Sequence, residues 1–256
     1  MRQDYGLWEL AHKAKVITLI GAGGKTTSLL RLAEEISSQG YDVIQTTTTK
    51  VYPVKAKELW INPATPPPPS VQHPCFWYVQ TEEKTGKWIG PKVETVDQAL
   101  EVEKNNNIER FWIIEGDGAR GLQLKCWAEH EPQIPASTEC AVLLLRGDLW
   151  GKTLDDKVVH RAEYCLDLTG QTWNAQTCWE YLRRSPVYYP EFQHIFWVVL
   201  FNELSENPAK TVKDIAIKDI LKEIKDSASN AGNGPRHLRI AAGNVKEGTF
   251  RWLDLS

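Results

Sequence analysis

The sequence predicts an α/β fold, with a mostly parallel sheet between two layers of helices. Three observations predict it. Short apolar runs of strand length alternate with segments of helical period, the pattern of strand–helix–strand units. A glycine loop ending in Lys25-Thr26 lies between the first such strand and the first such helix. A later apolar run, residues 111–114, ends in two carboxylates, Glu115 and Asp117.

Residues 16–20 form a β-branched and aliphatic run suited to a buried strand. From Lys25 to Gln39 the apolar residues Leu29, Leu30, Ala33 and Ile36 make one helical stripe, which Gly40 ends. Residues 42–46 read as the second strand, completing a βαβ unit. Residues 63–70, with four consecutive prolines, predict an exposed extended connection. Residues 75–80 and 88–89, flanking Thr85-Gly86, predict a hairpin, so that 63–92 is an insertion into one domain spanning 1–256. A helix is expected over 93–104 and buried strands over 111–115 and 140–145. Helices are expected over 155–166 and 174–184, and a strand over 195–202. Asn207-Pro208 opens a further helix running to about residue 226, with a capping side chain followed by proline. A polar loop over 227–235 then leads to a last short strand over 237–242.

Composition narrows the function. The chain has 256 residues, 42% hydrophobic and 25% charged, ordinary values for a globular protein. The formal charge is −3 and no basic run occurs, which argues against nucleic acid as a partner. The longest apolar run, 195–201, is too short to span a bilayer, and 16–20 is too short for a signal-peptide core, so a cytoplasmic location is expected. The five cysteines, Cys75, Cys126, Cys140, Cys165 and Cys178, are odd in number and form no CxxC, which predicts free thiols. The eleven tryptophans are expected in the core.

The loop Gly21-Ala22-Gly23-Gly24-Lys25-Thr26-Thr27 carries the chemistry of phosphate binding. Glycines let successive backbone N–H groups converge on phosphate oxygens, and the helix start adds a positive dipole end. Lys25 would reach the β- and γ-phosphates, and the Thr26 hydroxyl would bind Mg²⁺. The fold expected is therefore a P-loop NTPase-like three-layer sandwich. The full pattern also asks for a glycine at position 19, where Leu19 stands; the shorter G-x-x-G-K-T-T is met. A Rossmann loop would need glycine where Thr26 stands. The run 111–114 delivers Glu115 and Asp117 to the sheet edge where the loop opens, so either could hold Mg²⁺ and the other orient the attacking group. The competing reading is an ordinary strand end with an Asp-Gly turn. The cofactor is ATP or GTP with Mg²⁺. After the late strand, Asn202-Glu203-Leu204-Ser205 keeps only the asparagine of the guanine-reading Asn-Lys-x-Asp, which favours ATP.

Weaker signals follow. Thr46 to Thr49 end the second strand; Lys125, Glu129, His130 and Glu131 crowd a loop before Pro132; His160-Arg161 follows Gly151-Lys152. Together with residues 17–27, 114–119 and Ile134-Pro135, these blocks stand in one order that resembles the YqeC family. The resemblance covers most of 16–163 and is most specific at Glu115-Gly116-Asp117-Gly118-Ala119 and Glu129-His130-Glu131-Pro132. Gly116 stands where the family more often has alanine, and Glu203 where many relatives have lysine. The resemblance implies an accessory role in maturing selenium-dependent molybdenum hydroxylases, with such an enzyme or its cofactor as partner. It also implies roles for Lys125, Glu129, His130, His160 and Arg161, of which His130 and Arg161 are expected to be catalytic with Lys25, Glu115 and Asp117. Two other readings stay open: an ATP-dependent small-molecule ligase or kinase resembling dethiobiotin synthetase or Mur ligases, and a nucleotide-switched chaperone without enzymatic activity. If the loops at 46–49, 116–120 and 125–132 all follow parallel strands, they share one sheet edge with the phosphate loop and wall a pocket for a second molecule.

Overall fold

The computed structural model describes residues 6–202, 222, 226 and 235–255. Its elements in chain order are α1 (Leu7–Leu10), β1 (Val16–Gly21), α2 (Lys25–Ser38), β2 (Val43–Thr47), β3 (Lys50–Val51), β4 (Glu58–Ile61), β5 (Cys75–Tyr78), β6 (Gln80–Thr81) and β7 (Trp88–Ile89). Then follow α3 (Val93–Asn105), β8 (Phe111–Glu115), β9 (Leu124–Lys125), β10 (Cys140–Arg146), β11 (Val159–His160), α4 (Ala175–Arg183), β12 (Phe196–Asn202), β13 (His237–Asn244) and β14 (Thr249–Asp254). The helix expected over 207–226 and the loop over 227–235 lie almost wholly outside the described residues.

Nine strands form one sheet in the order β14-β13-β12-β10-β1-β8-β2-β5-β4. All neighbours pair in parallel except β13 and β14. The central strands are buried along nearly their whole length, which is why they read as continuous apolar runs rather than alternating ones. Side chains still alternate between faces. Ile17, Leu19, Val142, Leu144 and Ile113 pack with Leu29, Leu32 and Ile36 of α2 and with α1. Ala141, Leu143, Trp197 and Val199 face the other way, onto α4 and Trp173, and Trp112 and Ile114 face Val96 and Ala99 of α3. The result is three layers. Seven tryptophans, at 77, 88, 112, 127, 173, 179 and 197, are buried.

The chain leaves β1 toward β2, returns to insert β8 between them, and then crosses to β10 on the other side of β1. The direction of winding reverses beside β1, and the crevice at its C-terminal end is where open α/β sheets take ligands.

Several expectations are corrected. Residues 75–78 are not half of a hairpin: β5 pairs in parallel with β2 and β4 in the main sheet, and only β6 with β7 makes the hairpin. Part of 63–92 therefore belongs to the sheet. The proline connection is not wholly exposed, since Pro67 is buried and its carbonyl accepts a 2.6 Å bond from Arg110 Nη1. No helix forms over 155–166. The Asp155 carboxylate caps the N–H groups of Lys157 and Val158, β-branched Val159 pairs with Leu124 in a parallel bridge, and two short 3-10 turns follow. The cysteines are not all free: Cys126 and Cys165, 39 residues apart, are joined, leaving Cys75, Cys140 and Cys178 as buried thiols. The last strand extends to Asn244 and turns back as β14. None of the described helices is long and apolar enough to cross a membrane.

Candidate functional site

The glycine loop turns from β1 into α2 with Gly21, Gly23 and Gly24 at φ of 89°, 132° and 111°. A Cβ at Gly21 would stand 2.6 Å from the Leu144 carbonyl oxygen, so the close pass of the loop over β10 excludes any side chain there. Asn202, at the end of β12, braces the loop from behind. Its Nδ2 donates to Gly23 O at 2.6 Å and its Oδ1 accepts from Val245 N at 3.1 Å. Both ends of that amide are used internally, so the one residue left of a guanine-reading motif serves here as a strut.

Lys25, in the first turn of α2, is buried and folds back over the loop, donating to Gly21 O at 2.5 Å. Its ammonium lies 3.2 Å from Asp117 Oδ1 and 3.9 Å from Glu115 Oε1. Burial opposes the charge, but Asp117 and then Glu115 outweigh it and hold the Lys25 pKa above its ordinary value. β8 is the sheet neighbour of β1, with Glu115 in register with Leu19, so the two carboxylates arrive directly beside the loop.

The two carboxylates do different work. Asp117 is fully buried. Its Oδ2 accepts from Gly21 N at 2.9 Å and from Trp127 Nε1 at 2.8 Å, while Lys125 Nζ stands 3.8 Å away. It anchors the loop from below and does not border open space. Glu115 does border the cleft, and its Oε2 is 3.5 Å from the Thr26 hydroxyl. Burial pushes its pKa up to about 6, against the pull of Lys25.

The cleft, about 970 Å³, is lined by residues 22–27 on one side. Thr48 to Pro53, Lys87, Glu115, Gly118 to Leu122, His130, Glu131, Gln133, Arg146, His160 and Arg161 make the rest. The loops after β1, β2 and β8 thus meet at one edge, as expected, and the 125–132 segment shares it. Gln133 ties that segment in place: its N–H donates to Gly116 O at 2.9 Å, and its carbonyl accepts from the Thr48 hydroxyl at 2.6 Å. Gly116 sits under this joint, where a Cβ would meet Thr18 Cγ2 at 2.8 Å.

The remaining candidates separate. Thr46 and Thr47 are buried, bonding Trp77 O and Glu115 O, while Thr48 and Thr49 reach the cleft. Glu129 is exposed and is not part of the cleft wall, whereas His130 is exposed within it. Lys125 is fully buried, donating to Gly118 O at 2.6 Å and pairing with Glu131 at 3.0 Å. Arg161 pairs with Glu131 Oε2 at 3.0 Å. His160 and Arg161 come not from a helix but from β11 and the turn after it. Arg120 lines the cleft as the end of the 116–120 loop expected to wall it, although no role was read for its side chain; Arg146, which also lines the cleft, was missed, because it only shows as the charge ending an apolar run.

The family described as "YqeC protein" matches residues 17–163. The chain is 34% identical over 164 residues to "Uncharacterized protein YqeC" of Escherichia coli (strain K12). That match covers 62% of this chain and 62% of the relative, so less than two thirds of the relative's length is spanned. No solved structure gives a significant match.

Proposed function

The chain belongs to the YqeC family, and on that premise we propose that it is a P-loop protein that binds Mg²⁺ with ATP or GTP and acts on the γ-phosphoryl group. The observation that carries this is one arrangement: three left-handed glycines between β1 and α2, followed by a buried lysine held against carboxylates of the adjacent strand. A plain glycine turn has no need of a buried ammonium. Backbone N–H groups of residues 21–24 and Lys25 would neutralise phosphate charge, with the helix start adding its dipole. Lys25 would exchange its Gly21 carbonyl partner for a phosphate oxygen. Thr26 and Glu115 fit a Mg²⁺ site, because that ion keeps most of its waters and takes few protein ligands. Asp117 is the positioning residue that fixes Gly21 and orients Lys25. ATP is favoured over GTP by the internal use of Asn202.

Through the family resemblance, the wider role proposed is cytoplasmic maturation of selenium-dependent molybdenum hydroxylases, with such an enzyme or its cofactor as partner. A ligase or kinase reading is favoured by one observation: the cleft reaches well past the phosphate loop to His130, His160 and Arg161, leaving room for a second molecule. Phosphate release from Mg²⁺–ATP and Mg²⁺–GTP by the purified chain tests the reading. Release with either nucleotide, lost in Glu115→Gln, supports it; no nucleotide binding at all refutes it.

A further inference from the structure

Five non-glycine residues among those described have left-handed backbones: His12, Lys13, Asn107, Arg120 and Arg161. Two of the five are arginines, at φ of 49° and 61°, and both line the cleft that the phosphate loop also lines. A residue with a Cβ holds that conformation at a cost in free energy, which glycine would avoid. The neighbour of Arg120 is Gly121, itself left-handed, so the turn already contains the residue suited to it. What arginine supplies at these two positions and glycine would not is a guanidinium group.

The surroundings of the arginines are charged and incompletely satisfied. Arg161 Nε and Glu131 Oε2 form an ion pair at 3.0 Å, yet both atoms are buried and neither makes a hydrogen bond among the described residues. His160, adjacent in the chain, lines the same wall and makes no side-chain hydrogen bond among the described residues. Its imidazole is held below its ordinary pKa by burial first and then by the cations Lys125, Arg120 and Arg161. Lys125 is fully buried, fixed to Gly118 O, and does not itself line the cleft. At His160 the cations Lys125, Arg120 and Arg161 are opposed by Glu131, so the charge around this imidazole is positive on balance.

We propose that Arg120, His160 and Arg161 form a second anion subsite, in the cleft that the phosphate loop also lines, that holds an oxyanionic small molecule as acceptor of the γ-phosphoryl group. The subsite rests on the nucleotide reading above and deepens it. In the step, an oxygen of the bound anion attacks the γ-phosphorus. The bond from that phosphorus to the β,γ-bridging oxygen breaks, and the nucleoside diphosphate leaves with the electron pair. An ionised acceptor oxygen carries no proton, so no base is required, and nothing is oxidised or reduced. The product is a mixed anhydride of the acceptor with phosphate. The two guanidiniums suit this task because their forked donors match carboxylate and phosphate oxygens.

The test uses the full chain saturated with Mg²⁺ and a non-hydrolysable β,γ-imido nucleotide, so that the phosphate loop is filled. Inorganic phosphate and succinate are then titrated separately by calorimetry, the tighter of the two naming a phosphate- or carboxylate-bearing acceptor. One further anion per chain is expected, with affinity at least tenfold weaker in Arg120→Gly and in Arg161→Gly. Glycine suits the left-handed backbone, and a cooperative thermal melt recorded for each variant separates lost binding from lost folding. If the loaded wild-type chain binds neither anion, or both variants keep wild-type affinity, the subsite is refuted while the nucleotide reading stands. If the imido nucleotide itself fails to bind, the nucleotide reading and the subsite fall together.

Discussion

Lys25 and Lys125 lie on opposite sides of the same buried carboxylate, yet they are held differently. Lys25 stands 3.2 Å from Asp117 Oδ1 and has Glu115 as a second counter-charge, so its ammonium is stabilised above its ordinary pKa. Lys125 stands 3.8 Å from Asp117 Oδ2 and pairs with Glu131, but burial dominates and Lys25 repels it, so its pKa falls. The same side chain in the same cluster is driven in two directions: for Lys25 the carboxylates outweigh burial, and for Lys125 burial and the repulsion from Lys25 outweigh them. The loop side keeps a permanent cation, the one that the proposed nucleotide would meet. The wall side keeps a buried lysine tied to Gly118 O and Glu131, outside the cleft that Arg120 and Arg161 line.

Removing the shared carboxylate should collapse the contrast and give the largest effect. Asp117→Ala leaves two buried ammonium groups and the Gly21 and Trp127 N–H donors without their acceptor. Breaking a buried pair from one side costs about 3–5 kcal/mol, so urea unfolding should show a loss of that order. A loss under about 1 kcal/mol would mean the cluster relaxes onto water and the comparison is empty.

Glu115→Gln sharpens the loop side. Turnover should fall at least about a hundredfold, or roughly 2.7 kcal/mol of barrier, if this carboxylate helps hold Mg²⁺. Stability should move the other way. A carboxyl whose folded pKa is raised from 4.5 to about 6 binds more protons folded than unfolded in that window, so the native protein loses stability as pH rises through it. The glutamine variant carries no such titration. Its melting temperature relative to wild type should therefore climb between about pH 4.5 and 6 and then level, an advantage of up to about 2 kcal/mol. A pH-independent difference would contradict the assigned cause.

These two regions were not equally legible in the sequence. The loop was, because its glycines, lysine and flanking strand and helix are contiguous and each has a local signal. The neighbouring carboxylates were legible as a pair, but their division of labour was not: that Asp117 is sealed below the loop while Glu115 borders the cleft depends on Trp127 and Lys125 arriving from ten and eight residues further on. The wall was largely illegible. Val159–His160 pairs with Leu124–Lys125 across 35 positions, and a helical reading of 155–166 had no local signal against it. Nothing in sequence marks an arginine held at positive φ, nor the joining of Cys126 to Cys165. Residues 58–61 and 249–254 escaped as strands because they are edge strands with mostly exposed side chains.

On the wall side, Lys125→Ala should cost less than the aspartate variant, about 1–3 kcal/mol, since Glu131 keeps Arg161 and Asp117 keeps Lys25. Nucleotide affinity should change by less than about threefold, under roughly 0.7 kcal/mol. An effect on nucleotide binding as large as that of the loop lysine would erase the distinction between the two.

The most direct measurement is calorimetric titration of Mg²⁺–ATP and Mg²⁺–GTP into the wild-type chain and into Lys25→Ala. The alanine keeps helix propensity at the start of α2 while removing the one side-chain cation the loop offers to phosphate. The wild-type chain should bind at least one of the two nucleotides, and the folded variant should bind it at least about tenfold more weakly, roughly 1.4 kcal/mol. Equal affinity in a folded Lys25→Ala, or no binding to the wild-type chain, would contradict the nucleotide reading at its root.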